Sequence, residues 1–272
     1  MAPDPDFAAA HAFILQTYSY STCLMRDVPA AAGSSVPENQ SLGGQLFWAG
    51  QLDETGRALT VAANIAGAAT LAATSDAEAQ RQAVRDGVVD FLVNSLDEAL
   101  RILKNEVRKR ETVAVCVAAP VEAVEREMTE RGVRPDVLRE GVVRAAERPE
   151  PAGNSASDPM SMRALVAWRV DRAPALWLPK LDAIALECLT PEESSARRWL
   201  LRSSRYLGRI GQTEHLVWSN RAFAARMFER CRDRVDRDEI KVSGRVEALF
   251  SGVIDILYFG PREDEKNTAP QA

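Results

Sequence analysis

Residues 88–93 (VVDFLV), 95–110 (SLDEALRILKNEVRKR), 112–118 (TVAVCVA) and 120–132 (PVEAVEREMTERG) decide the fold. The first and third are short apolar runs rich in valine. The second and fourth repeat their apolar positions at helical spacing. Strand-length runs interleaved with amphipathic helices indicate βαβ units and a parallel sheet. Segment 95–110 carries its own start signal. Ser95 suits an N-cap, Asp97 and Glu98 fall in the first turn, and Glu98 stands three residues after Ser95 as in a capping box. Leu96, Ala99, Leu100, Leu103 and Val107 then form one stripe that should lie on the sheet. Arg108-Lys109-Arg110 closes the helix, where cations meet the negative pole of its dipole.

Upstream, Leu46-Phe47-Trp48-Ala49 reads as the first strand, reaching Gly50 and then Gly56 before an Ala-, Leu- and Val-rich run over 57–71. Downstream, Arg134–Leu138 is a turn and the start of another strand. Beyond residue 161 the pattern predicts a strand over 162–170, helices over 173–188 and 191–207, a short strand over 215–218 and a helix over 220–234. Pro191, after Thr190, suits a helix N1 position. A last apolar-periodic piece covers 245–257. The expected fold class is α/β, a doubly wound parallel sheet (Rossmann-like) with helical C-terminal additions. Its expected parts are an N-terminal arm and linker (1–41), a Rossmann-like half (42–146), a loop (147–161), a second α/β half completing the same domain (162–260) and a disordered tail (261–272). Within the arm, 8–18 reads as a short helix or as flexible chain.

Composition narrows the function classes. The 272 residues are 46% hydrophobic, enough for a sizeable core, and carry a formal net charge of −5. That balance speaks against a nucleic-acid or anionic-membrane binder, which needs a basic face. No apolar run approaches spanning length, and the N-terminus MAPDPDF has no signal-peptide pattern, so a cytoplasmic protein is expected. Cys23, Cys116, Cys188 and Cys231 share no CxxC spacing and read as buried thiols in a reducing compartment. Two histidines, His11 and His215, are too few to suggest a zinc or iron site.

The first βα turn carries the functional question. A dinucleotide-binding fold places G-x-G-x-x-G there, so that the backbone can approach the pyrophosphate at the helix N-terminus. Here the turn reads Gly50-Gln51-Leu52-Asp53-Glu54-Thr55-Gly56, with two carboxylates where a diphosphate would rest. Mutual repulsion disfavours NAD in this turn. Asp76 lies near the position of a ribose-binding acid and equally suits the N-cap of a helix starting at Ala77. In open α/β sheets ligands bind at the carboxyl ends of the strands. The candidates there are Gly50, Gln51, Gly56, Asp76, Asn94 and Ser95, with Asn94 best placed for a polar contact. No catalytic or metal-ligating residue is assigned.

Other clusters have plain structural readings beside functional ones. His215 beside Glu214 suggests an acid–base pair, but neighbours in a strand face opposite sides, which favours a satisfied histidine. The arginines of 197–209 (Arg197, Arg198, Arg202, Arg205, Arg209), interleaved with Trp199 and Tyr206, suit a phosphate or acidic partner, or simply a solvated face. No G-x-S-x-G elbow accompanies the serine pairs.

Three segments, in order, resemble the urocanases. They are AANIAGAATL (62–71), Val89-Asp90 leading to SLDEAL (95–100), and ERGVRPD (130–136). They cover roughly residues 45–140. A fainter echo lies in Arg198-Trp199-Leu200, in Leu216-Val217-Trp218 and in the helix 220–230. The resemblance implies an NAD-binding domain within a larger enzyme that adds water to urocanate, with tightly bound NAD as the electrophile. This sequence departs from the family pattern. It is about half the usual length and its glycine turn is degraded. Val217 stands where the family has a cysteine before a tryptophan, and Val246 or Glu247 stands near the later aspartate.

Two functional readings therefore stand, with a third beside them. One is a urocanase-like protein that has lost hydratase activity and binds a small molecule or a partner protein, with a homodimer among the options. The other is an active NAD-dependent lyase, or another NAD(P)-dependent enzyme, using a cavity at the strand ends. A third is one subunit of a split assembly whose missing part comes from another polypeptide.

Overall fold

The computed structural model describes residues 5–26, 42–147, 163–191, 193–208, 210–212, 214–250 and 253–260. The chain divides into two compact units, Met1–Pro151 with Pro191–Gly211, and Ala152–Thr190 with Gln212–Ala272.

The first unit opens with α1 (Pro5–Arg26), a helix of 22 residues where the sequence suggested a short helix or an arm. There follow β1 (Leu46–Gln51), α2 (Glu54–Ala66), β2 (Ala69–Ala73), α3 (Ala77–Arg85), β3 (Phe91–Val93), α4 (Leu96–Lys109), β4 (Val113–Val117), α5 (Val121–Glu130), β5 (Val137–Leu138) and α6 (Arg139–Glu147). All strand pairs are parallel, in the order β3-β4-β2-β1-β5. This is the doubly wound α/β sheet expected from 46–138. One face carries Trp48, Leu71, Val113, Val115 and Val117 against Leu96, Ala99, Leu100 and Leu103 of α4 and Val124 and Met128 of α5. Full burial of each such leucine contributes roughly 1.5–3 kcal/mol. The opposite face meets α2, where ten residues are buried, many of them alanine, so the helix can lie close to the strands and to α1.

Capping chemistry fixes the helix starts. Ser95 Oγ accepts from the Glu98 amide at 3.3 Å, while Glu98 Oε2 accepts from the Asn94 amide at 3.0 Å. Arg110 caps the other end of α4 in the left-handed conformation (φ 61°), after Arg108 and Lys109 in the last turn. The strand expected over 88–93 is shorter, Phe91–Val93. The Asp90 carboxylate takes the Ala114 amide at 2.8 Å and so replaces the ladder at its start.

The second unit holds β6 (Arg163–Val170), α7 (Pro174–Cys188), β7 (His215–Asn220), α9 (Arg221–Asp236), β8 (Gly244–Phe250) and β9 (Val253–Phe259). Here the expectation of a second α/β half completing the same domain needs correction. The four strands form their own antiparallel sheet, β7-β6-β8-β9, backed by α7 and α9. The piece read as one periodic run over 245–257 is a hairpin, with Phe250 opposite Val253. Between α7 and β7 the chain returns to the first unit as α8 (Ser194–Tyr206), N-capped by Glu193, so Pro191 precedes the helix rather than opening it. Its Trp199 is buried edge-on against Tyr18 of α1, with ring centroids 4.7 Å apart. The linker at 30–41, the loop at 148–161 and the tail (261–272) lie outside the described residues.

All four cysteines are free and buried. Burial pushes the Cys116 thiol up to about 11 and that of Cys231 to about 12. Among the described residues no helix is long and apolar enough to cross a membrane, and no cluster of His, Cys, Asp and Glu is arranged to hold a metal ion.

Candidate functional site

In a parallel sheet the ligand crevice opens where successive crossovers leave a strand in opposite directions. Here that strand is β1, with β2 on one side and β5 on the other. The crevice therefore lies between the carboxyl ends of β1 and β5, at Gly50-Gln51 and Leu138-Arg139, and the N-termini of α2 and α6 border it.

The chain fills this crevice with its own charges. Asp53 is the N-cap of α2, and its Oδ1 accepts from the Gly56 amide at 2.7 Å. The first residue of α6, Arg139, reaches across from β5. Its Nη2 lies 3.1 and 2.9 Å from the two Asp53 carboxylate oxygens, and its Nη1 donates to Gln51 O at 2.8 Å. The amide that a pyrophosphate would use holds a carboxylate, and that carboxylate is neutralised by an arginine. A diphosphate does not fit these residues as they stand, because it would have to displace Asp53 and leave a carboxylate beside it. Two of the turn's glycines are nonetheless required. Gly50 sits at φ +71° beside a register shift in β1, and a Cβ on Gly56 would lie 2.0 Å from Gln51 O. Gly56 thus serves the close approach of α2 to β1, while the Asp53 carboxylate occupies its amide.

The predicted residues fall into two groups. Gln51 and Asp76 converge on Thr74, whose hydroxyl accepts from Gln51 Nε2 and from the Asp76 amide, each at 3.2 Å. The Asp76 carboxylate caps α3, accepting from Glu78 N at 2.8 Å, the structural role that its position equally suited. Gly50, Gln51, Gly56 and Asp76 thus form one cluster at the ends of β1 and β2. Asn94 and Ser95 lie apart from it. They follow β3, the sheet edge, three strand spacings or about 14 Å from β1. Arg139 and Thr74 were not among the predicted residues. Arg139 is the first residue after the last strand of the sheet, and that position was the available signal.

A cavity of about 560 Å³ runs beside β5, lined in part by Leu24, Leu42, Gln45 and Asp136 near the amino ends of β1 and β5 and by Leu138 and Glu140 where β5 passes into α6. None of the predicted site residues lines it. In α8, Arg198 donates to Ile65 O at 3.0 Å, and burial lowers its pKa to about 10. Arg205 lies over the Tyr206 ring.

In the second unit His215 is a satisfied core histidine, and Asp182 is its partner. His215 Nδ1 lies 2.7 Å from the Asp182 carboxylate, which also accepts from Trp168 Nε1 at 3.0 Å. Val217 is fully buried, and Glu247 is held by Arg169 and Arg245.

Sheet order, the first βα turn and the crevice beside β1 define an α/β domain of the Rossmann-like class. Residues 26–143 match the family model described as the urocanase Rossmann-like domain, and this part of the chain is a Rossmann-like domain of the urocanase family. No curated protein matches the chain.

Proposed function

We propose that this chain is a urocanase-type scaffold that no longer hydrates urocanate, and that it binds a small molecule or a partner protein instead. The observation that carries the reading is the Asp53 carboxylate on the Gly56 amide, locked by Arg139. NAD chemistry needs the diphosphate anchored so that the nicotinamide is held against its substrate. A carboxylate on that anchor removes the attraction and adds repulsion. Val217, where the family has a cysteine, offers no proton donor or nucleophile. Glu247, near the later family aspartate, is tied up by two arginines.

The test is direct. Incubated with NAD and urocanate, the protein is expected to leave the ultraviolet absorption of urocanate unchanged, and NAD is expected not to raise its melting temperature. Steady loss of that absorption at an enzyme-like rate would establish the active-lyase reading. Activity appearing only with a co-purified second polypeptide would favour a split enzyme.

A further inference from the structure

The outer strand of the antiparallel sheet points to a use that goes beyond the proposed function. β9 reads VIDILYF and, among the described residues, pairs only with β8. In an antiparallel strand alternate residues turn their N–H and C=O groups to either side, so an outermost strand presents a row of open backbone partners. Soluble proteins usually guard such a row with lysine, proline, a bulge or an inward charge. β9 has none of the first three, and its single charge, Asp255 on the helix-backed face, is already paired within the chain, with Arg221 of α9 at 2.7 Å.

The other face of the same strand is apolar and open. Ile254, Ile256 and Tyr258 are 57%, 42% and 63% exposed, and Leu249, opposite Ile254 on β8, is 39% exposed. Beside this strip Glu247 pairs with both Arg245 and Arg169, which leaves one net positive charge there in each copy. The strip itself, Leu249, Ile254, Ile256 and Tyr258, carries no charged side chain.

We infer that β9 is a self-pairing edge, at which a second copy of this chain adds antiparallel about a two-fold axis at Ile256 to make one continuous eight-stranded sheet. The sequence around Ile256 is complementary to itself when reversed. Ile256 meets its own copy, and Ile254 meets Tyr258 of the second copy. On the helix-backed face Asp255 meets Leu257, so no residue faces a like charge. Aromatic and β-branched neighbours are favoured cross-strand pairs. An isologous contact of this kind closes on itself and stops at two copies.

The full chain is expected to be a dimer by light scattering across a dilution series. Ile256→Cys is expected to form a disulfide-linked dimer under mild oxidation, while the wild type stays unlinked because its four cysteines are buried. Ile254→Cys alone is expected not to link, since the two copies of residue 254 lie about 14 Å apart in this register. Mixed with Tyr258→Cys, it is expected to link. Ile256→Lys sets two cations opposite each other at an exposed position and is expected to give a monomer with an unchanged circular dichroism spectrum. A wild-type chain that is monomeric throughout overturns the proposal. So does a dimer that survives Ile256→Lys, or one in which Ile254→Cys links as readily as Ile256→Cys. These outcomes are separate from urocanate turnover, which neither a dimer nor a monomer decides.

Discussion

Replacing Asp53 by alanine tests the lock on the first βα turn. The carboxylate does two jobs, and their magnitudes can be separated. As N-cap of α2 it satisfies the Gly56 amide, and losing such a cap costs about 1 kcal/mol. As partner of Arg139 it makes a two-oxygen ion pair whose side chains are 20% and 47% exposed, which limits its worth to roughly 0.2–1 kcal/mol. Asp53→Ala is therefore predicted to lower stability by about 1.5 kcal/mol. Asp53→Asn, which keeps a capping oxygen and loses the charge, is predicted to cost about half as much. Arg139→Ala also gives up the bond to Gln51 O and should cost about 1 kcal/mol. The double variant should then fall short of the sum by about 0.5 kcal/mol. Equilibrium urea unfolding measures all four proteins, provided the slope of the transition is unchanged. Strict additivity, or an Asp53→Ala variant as stable as the wild type, would refute the reasoning.

Three further predictions concern the packing around this turn and the two thiols and buried acid that lie away from it. Gly56→Ala forces a Cβ to within 2.0 Å of Gln51 O, so backbone must move, and a loss of about 3 kcal/mol or more is expected as a lowered melting temperature; a loss below about 1 kcal/mol would show that α2 is free to slide. Burial raises the Cys116 and Cys231 thiols above the usual 9.0, so the unfolded chain loses those protons first as pH rises. Stability from this source is complete below pH 9.0 and falls as pH climbs toward about 12, and Cys231→Ala should flatten that alkaline slope; an equal slope in both proteins would contradict it. Asp182→Ala strands the buried Trp168 Nε1 and removes the carboxylate at His215 Nδ1, at a cost of about 2–4 kcal/mol in urea unfolding, whereas Asp182→Asn should recover part of the loss; equal losses in the two variants would show that the acceptor oxygen is not what matters.

What was legible in the sequence was the local chemistry. Ser95 with Glu98, the stripe from Leu96 to Leu103, and Asn220, whose Oδ1 accepts from the Phe223 amide, mark helix starts and faces within a few residues of each other. The two carboxylates of the first βα turn were legible as well, because Asp53 and Glu54 lie inside the turn itself. Arg139 escaped notice because it meets Asp53 across a separation of 86 residues, and only the placement of β5 beside β1 brings the two together. Asn94 looked like a site residue because it ends a strand. Sheet order put that strand at the edge, and nothing local in VVDFLV encodes that order. The second sheet was missed for a related reason. β8 and β9 follow each other so closely in sequence that they read as one apolar run, and antiparallel pairing is a property of partners rather than of segments.

A crystal structure of the protein grown with excess NAD would decide the central claim, that the mouth of the first βα turn is closed by the protein's own carboxylate and guanidinium. The predicted density shows the Asp53 carboxylate on the Gly56 amide and the Arg139 guanidinium bridging it to Gln51 O. An ordered pyrophosphate against the amides of residues 54–56, with Asp53 swung aside, would contradict it.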